Sequence, residues 1–228
     1  MGLVYLPTWN MFENFIKAIR TFLKDFERLA SEQRQLFDSY VKNATPRNPD
    51  LYLSRAKHIE ECLLLGVTAE FLLKAVLLKH SYVLNLEIAQ RQKRFDPDFF
   101  KRIMDFNSKD PMNNKEYKSI QDEAERVMGK ASGKTVDFKN CILIFMKDIV
   151  DANYFSRISK EKYDVANKET QEIYGKTIDT SDALWKIKLL RDNYAHIPDP
   201  MYEERGLLPY LYDFLVYIAK KEFPKDFT

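Results

Sequence analysis

The sequence predicts an all-α fold, a helical bundle, on three observations. Gly is scarce, at 6 of 228 residues, whereas Lys, Glu, Leu and Ala, which favour helices, are plentiful. Apolar residues recur at three- and four-residue spacing over long stretches, as a helix with one buried face requires. No alternating apolar and polar run is bounded by hairpin residues such as Asn-Gly, so strand signals are weak. The hydrophobic fraction of 45% supplies enough apolar surface for a sizeable core.

The first predicted helix is long and carries an aromatic-rich stripe. It begins after Pro7, with Thr8 as its N-cap, and ends before Pro46. Its stripe belongs either to the core or to a partner surface, and includes Phe12, Phe15, Ile16, Ile19, Phe22, Leu23, Phe26 and Leu29. A second helix, capped by Asp50, is predicted to run to about His80. Its second half is apolar nearly all round, which is typical of a helix in the middle of a bundle.

The region from about residue 85 to residue 135 is polar and charged, unlike its flanks. Asp96 followed by Pro97 predicts an N-cap and the first position of a short helix over 98–106. A second short helix is predicted over 117–128. We interpret this region as a polar helical insertion, or peripheral arm, on the bundle.

The rest of the chain predicts further core helices. A strong helix is expected from Asp137 to about Phe155, and a more polar one over 160–174, ending at Gly175. The next helix is capped by the segment 179–181 and places Leu184, Ile187, Leu190 and Tyr194 on one face; the last runs over about 207–221. Residues 1–228 are thus expected to form a single domain, with its core over about 50–84 and 136–222.

Charge and hydropathy exclude several classes of function. The net charge is +2, so the chain as a whole lacks a strongly basic nucleic-acid footprint, although a local basic patch stays open. The N-terminus has neither the basic region nor the apolar run of a signal peptide. The most apolar stretch, 62–78, is interrupted by Thr68, Glu70 and Lys74 and falls short of the roughly 20 apolar residues of a membrane span. We therefore expect a cytoplasmic protein with no membrane partner.

Two further patterns fail as chemical sites. The segment 129–135, Gly-Lys-Ala-Ser-Gly-Lys-Thr, has three residues between its glycines where a P-loop needs four, and no strand precedes it. It is interpreted as a flexible basic loop. Cys62 and Cys141 lie in apolar helical patterns and are interpreted as reduced core thiols.

The histidines do not predict a metal site. His58, His80 and His196 have no second His or Cys at ligand spacing, so neither a metal nor another cofactor is expected. The acidic neighbours in the segment 58–61, His-Ile-Glu-Glu, are interpreted as a solvated helix face.

The segment 191–196, Arg-Asp-Asn-Tyr-Ala-His, remains as the candidate site. Pro198 predicts that the helix ends near His196. Five residues along a straight helix leave Arg191 and His196 about 140° apart, so convergence needs a bent end or a second copy across a two-fold axis. The pair would suit RNA, which carries its own nucleophile in the 2′-hydroxyl. A base and an anion-binding cation then suffice without a metal.

The segment 191–196 resembles the R-x4-H motif of the HEPN family (higher eukaryotes and prokaryotes nucleotide-binding domains), including the polar residue after the Arg. The segment 66–75 resembles the early core helix of that family, in which a Glu and a Lys punctuate an apolar run. The resemblance covers about 50–221, while the first helix and the insertion depart from it. It implies a helical bundle that often forms a homodimer with two Arg/His pairs in one cleft. Many members are metal-independent endoribonucleases of toxin–antitoxin or anti-phage systems, and others are non-catalytic binding modules.

On this resemblance, RNA is the expected substrate, and an antitoxin or defence-system protein is the expected partner besides a second copy. His196 would be the general acid and base, and Arg191 the contact to the phosphate and the transition state. Asp192 would orient one of them or a water, and Glu70 would supply a supporting polar contact. Tyr194 is expected to pack in the core. The alternatives are that Arg191 pairs with an acidic neighbour, that His196 caps helix carbonyls and that Asp192 is merely solvated.

Overall fold

A computed structural model describes residues 10–43, 45, 48–99, 101, 115–128, 134–156, 180–196 and 207–228. The prediction of an all-α fold is confirmed, because within these ranges the regular structure is helical and the only ladder pairing is two isolated bridges. None of the described helices is long and apolar enough to cross a membrane.

Within the described residues, seven α-helices have both ends defined. They are α1 (Asn10–Lys42), α2 (Pro49–Lys79), α3 (Leu86–Ala89), α4 (Lys115–Met128), α5 (Phe138–Ile144), α6 (Thr180–His196) and α7 (Leu208–Glu222). A π-helical turn, Phe145–Ile149, continues α5. The predicted helices over 117–128 and 207–221 correspond to α4 and α7, while α3 was not predicted. The loop 129–133, the predicted helix over 160–174 and the caps at Thr8 and Asp179 lie outside the described residues.

Two predicted boundaries are wrong for local reasons. Asp50 does not cap α2, because the helix begins at Pro49, and the side-chain oxygen of Asn48 accepts the Asp50 backbone N–H at 2.9 Å. The helix that starts after Asp137 ends at Ile149 rather than near Phe155. The carboxylate of Asp151 accepts the backbone N–H two residues further on, at 2.9 Å, and this turn competes with the helix.

The described residues form two compact units. The first holds those up to Lys17 and those from Phe71 to Ile149, and the second holds those from Ala18 to Glu70 and from Val150 onward. The division falls within α1 and within α2, and it groups the described part of the region 85–135 with the end of α2. The arrangement of one core with an insertion therefore stays a prediction.

The first unit is built around the end of α2. Six residues at this end of α2 are completely inaccessible to solvent: Leu72, Leu73, Ala75, Val76, Leu77 and Leu78. Lys74, the cation within this run, is also buried and donates to the Thr135 hydroxyl at 3.1 Å. Asp96 caps the short helical turn that begins at residue 97, as predicted, by accepting the Asp98 backbone N–H at 3.0 Å. The buried ammonium of Lys74 thus has a hydrogen-bond partner, as buried polar groups generally do.

The second unit carries the candidate site. Within it the aromatic-rich stripe of α1 belongs to the core, since Ile19, Leu23, Phe26 and Leu29 are buried. Phe26 stacks on Tyr212 of α7, with ring centres 4.8 Å apart. Helix α7 in turn contacts α6, whose predicted apolar face of Leu184, Ile187, Leu190 and Tyr194 is buried throughout. This packing turns the opposite face of α6 towards solvent.

Candidate functional site

Arg191 lies on the partly exposed face of α6, where a close helix crossing holds its side chain. A Cβ atom added to Gly66 of α2 would lie 2.4 Å from the Cβ of Arg191 and 2.6 Å from its Cγ. No side chain larger than hydrogen therefore fits at Gly66 without a shift of one of the helices. Glycine at this position lowers the helix stability of α2 by roughly 0.5–1 kcal/mol relative to Ala, but it allows α6 with Arg191 to come this close to α2.

Two carboxylates bind the Arg191 guanidinium. Its Nη1 donates to Glu70, which lies one helical turn after Gly66, and its Nε donates to Oδ1 of Asp192 at 3.2 Å. The three side chains are 26%, 21% and 35% exposed, so the cluster is neither buried nor freely solvated. The structure thus brings together three of the four predicted site residues. It also realises the alternative that Arg191 pairs with acidic neighbours.

Lys188 completes the cluster and was not predicted. Its ammonium donates to the Asp192 carboxylate across one turn of α6. Burial by itself would raise the pKa of Asp192, but the hydrogen bonds and positive charges of Lys188 and Arg191 outweigh burial, and that pKa lies below its usual value. The Lys-to-Asp spacing of four residues was the sequence signal that could have found this contact.

His196 is the last residue of α6, and its side chain lies outside the described residues. The backbone of α6 stays helical through His196. The geometry of the Arg191/His196 pair is a prediction that the described residues do not test.

A buried polar cluster on α2 corrects one interpretation. His58 is 0% exposed and Glu61 is 3% exposed, so these two side chains are not solvated, whereas Glu60 is exposed as interpreted. The imidazole Nδ1 lies 3.5 Å from a carboxylate oxygen of Glu61, and its ring packs edge-on against Tyr194, with centres 5.7 Å apart. Tyr194 packs in the core as predicted. His58 and Glu61 lie four residues before Cys62 and Leu65, which are also buried, so the helical spacing of that apolar stripe was the sequence signal that could have found them.

The cysteines and carboxylates offer no metal centre within the described ranges. Cys62 and Cys141 are buried and not disulfide-bonded, as the interpretation of core thiols requires. No group of three His, Cys, Asp or Glu side chains that could hold a metal ion occurs in the part of the chain the structure describes.

Comparisons with models of known protein families, with curated proteins and with solved structures find no match to this chain. The similarity to HEPN proteins therefore rests on the residues quoted for it from the sequence.

Proposed function

We propose that the chain is a metal-independent endoribonuclease of a toxin–antitoxin or anti-phage defence system. The observation that supports it best is the position of Arg191, part-exposed near the C-terminal end of α6 and oriented by Glu70 and Asp192. An arginine fixed by carboxylates on one side can still present N–H groups to a phosphate on the other. The similarity to the R-x4-H motif supplies the reaction.

In the proposed reaction, the RNA supplies the nucleophile. One His196 imidazole takes the proton of a ribose 2′-hydroxyl, and the oxygen attacks the adjacent phosphorus. The bond from phosphorus to the 5′-oxygen breaks, and a protonated His196 gives that oxygen its proton. Arg191 stabilises the additional negative charge on the phosphoryl oxygens. The products are a 2′,3′-cyclic phosphate and a 5′-hydroxyl end, with no metal and no covalent enzyme intermediate.

A homodimer is part of this proposal. Positions five residues apart on a straight helix lie about 140° apart around its axis, so a second copy of α6 across a two-fold axis would supply the His196 that meets each Arg191. One His196 would then act as base and the other as acid in a single cleft. Sedimentation measurements should find a dimer at the concentrations at which cleavage occurs.

A second candidate is a non-catalytic helical module that binds a partner protein, nucleotide or nucleic acid. The observation in its favour is that Glu70 and Asp192 balance the charges of Arg191 and Lys188. A phosphate would have to displace at least one of these pairs, whereas a structural network needs no ligand. The same cluster therefore suits either function, and activity decides between them.

Cleavage of total RNA and tRNA in EDTA separates the two. The wild-type chain should cleave and leave 2′,3′-cyclic phosphate ends. Arg191→Ala and His196→Ala should each lose activity by at least about 100-fold, the usual loss for a transition-state contact and for a general acid or base, respectively. Arg28→Ala is the matched control, since Arg28 is an exposed arginine of α1 that has no role in the proposed reaction. Folded wild-type protein without cleavage, or equal cleavage by all variants, would favour the binding module.

A further inference from the structure

A groove in the second unit concentrates positive charge. It has a volume of about 490 Å³ and lies between α1, α7 and the turn that follows α7. Its lining includes Arg20 and Lys24 of α1, Lys220 of α7 and Lys225 of the turn. The candidate site around Arg191 uses none of these residues.

The walls of the groove follow from helical spacing. Arg20 and Lys24 are one turn apart on α1, and Tyr212 and Lys220 are two turns apart on α7, so each pair shares a face. Arg20 fastens the turn by donating to the backbone oxygen of Asp226 at 2.6 Å and to its carboxylate at 3.0 Å. The groove is therefore held in shape by contacts within one unit.

The acidic side chains in the lining are occupied. Asp226 is paired with Arg20, and Glu27 accepts a hydrogen bond from the Tyr212 hydroxyl at 2.6 Å.

Lys24, Lys220 and Lys225 are exposed, and none makes an ion pair or hydrogen bond among the described residues. Four cations against two carboxylates leave an excess of two positive charges among the lining side chains. The net charge of the whole chain is also only +2, so the groove is a local basic patch on a nearly neutral chain.

We propose that this groove binds the phosphate backbone of single-stranded RNA, an inference that rests on the proposed function and names a surface for its substrate. Lysine ammonium groups are point charges that suit phosphates. The rings of Tyr212 and Phe227 line the same groove. The Tyr212 ring stacks on Phe26 with one face, and the Arg20 guanidinium lies 5.6 Å from the centre of the Phe227 ring, so a base would stack on the opposite face of either ring. An acidic peptide could stack on those rings only through its aromatic side chains, whereas every nucleotide of an RNA carries a base that can stack. A flat lipid surface does not reach charges along a concave wall.

Binding is measured with a labelled 2′-O-methyl RNA of about 12 nucleotides, a length within the range of one single-strand site. This probe lacks the nucleophile and is not cut, so binding is read apart from cleavage. The test protein carries Lys24→Gln, Lys220→Gln and Lys225→Gln. The control carries Lys134→Gln, Lys139→Gln and Lys147→Gln, which remove the same charge from exposed positions of the first unit.

Fluorescence anisotropy should show at least about tenfold weaker binding by the groove variant and little change in the control. The slope of log K against log salt should fall by about 2, since each phosphate contact contributes about 0.7 for single strands. Far-UV circular dichroism checks that both variants are folded.

Three results would overturn the proposal: no binding by the wild type, equal losses in both variants, or equally tight binding of a mononucleotide or of oligoglutamate. Cleavage reports separately on the proposed function. Wild-type protein that binds the probe through the groove but cuts no RNA refutes the ribonuclease and leaves the groove standing. If the wild-type protein cleaves RNA but the groove variant binds the probe as tightly as the wild type, the groove proposal is refuted and the ribonuclease stands.

Discussion

Substitution of Gly66 by Ala tests whether the close crossing of α2 and α6 positions Arg191. The new Cβ would lie 2.4 Å from the Cβ of Arg191, 2.6 Å from its Cγ and 2.8 Å from its Cδ. Carbon atoms in contact normally lie about 3.5–4.0 Å apart, so the two helices must separate by roughly 1 Å or more. Overpacking of this kind costs about 1–3 kcal/mol. Ala in a helix interior gains about 1 kcal/mol over Gly, which leaves a net loss of about 0–2 kcal/mol.

A double-mutant cycle isolates the clash from the propensity gain. In an Arg191→Gly background all three clashing atoms are gone, so Gly66→Ala should stabilise the protein by about 1 kcal/mol. In an Arg191→Ala background the Cβ at 2.4 Å remains, and most of the penalty should persist. The coupling between Gly66→Ala and Arg191→Gly is thus expected to be about 1–3 kcal/mol.

The free energies of unfolding of the four proteins in the Gly66→Ala/Arg191→Gly cycle are measured by urea unfolding followed by far-UV circular dichroism. One common slope of free energy against urea concentration is used for all four. A net loss of this size leaves a domain of ordinary stability folded, so each variant can be measured. Stabilisation of about 1 kcal/mol by Gly66→Ala in both the wild-type and the Arg191→Gly backgrounds would refute the close approach.

Two further predictions concern protons. Because the pKa of Asp192 is lowered in the folded protein, its contribution is full above the unfolded value of 3.8 and is lost as the pH falls below it. Asp192→Asn should therefore flatten the loss of stability as the pH falls below 3.8 in urea unfolding, and equal slopes in the two proteins would contradict this. Tyr154→Phe removes a hydroxyl that donates at 2.6 Å to Glu222, which is 5% exposed, and should cost about 1–3 kcal/mol. Burial raises the pKa of Tyr154, so wild-type stability should fall as the pH rises above about 10, and this fall should be smaller in the Phe variant. Tyr212→Phe removes an exposed hydrogen bond and serves as the control, with a smaller expected loss of stability at neutral pH.

The sequence by itself determined where most of the described helices lie and which face of α1 and of α6 is buried. Leu184, Ile187 and Leu190 were predicted on one face of α6, and all three are inaccessible to solvent. Asp96 was predicted as a cap and accepts the expected backbone N–H. These features follow from the sequence because helix hydrogen bonds, caps and apolar periodicity connect residues within about four positions.

Only the tertiary structure decided which side chains meet at the candidate site. Glu70 and Arg191 are 121 residues apart in the chain, yet they form an ion pair because Gly66 lets two helix backbones come close. The ring of His58 on α2 packs edge-on against Tyr194 of α6, a contact that the spacing within one helix does not predict. The basic groove likewise joins residues of α1 to residues after α7. Such contacts depend on which faces of separate helices are pressed together, and the periodicity of one helix carries no information about the partner that will cover it.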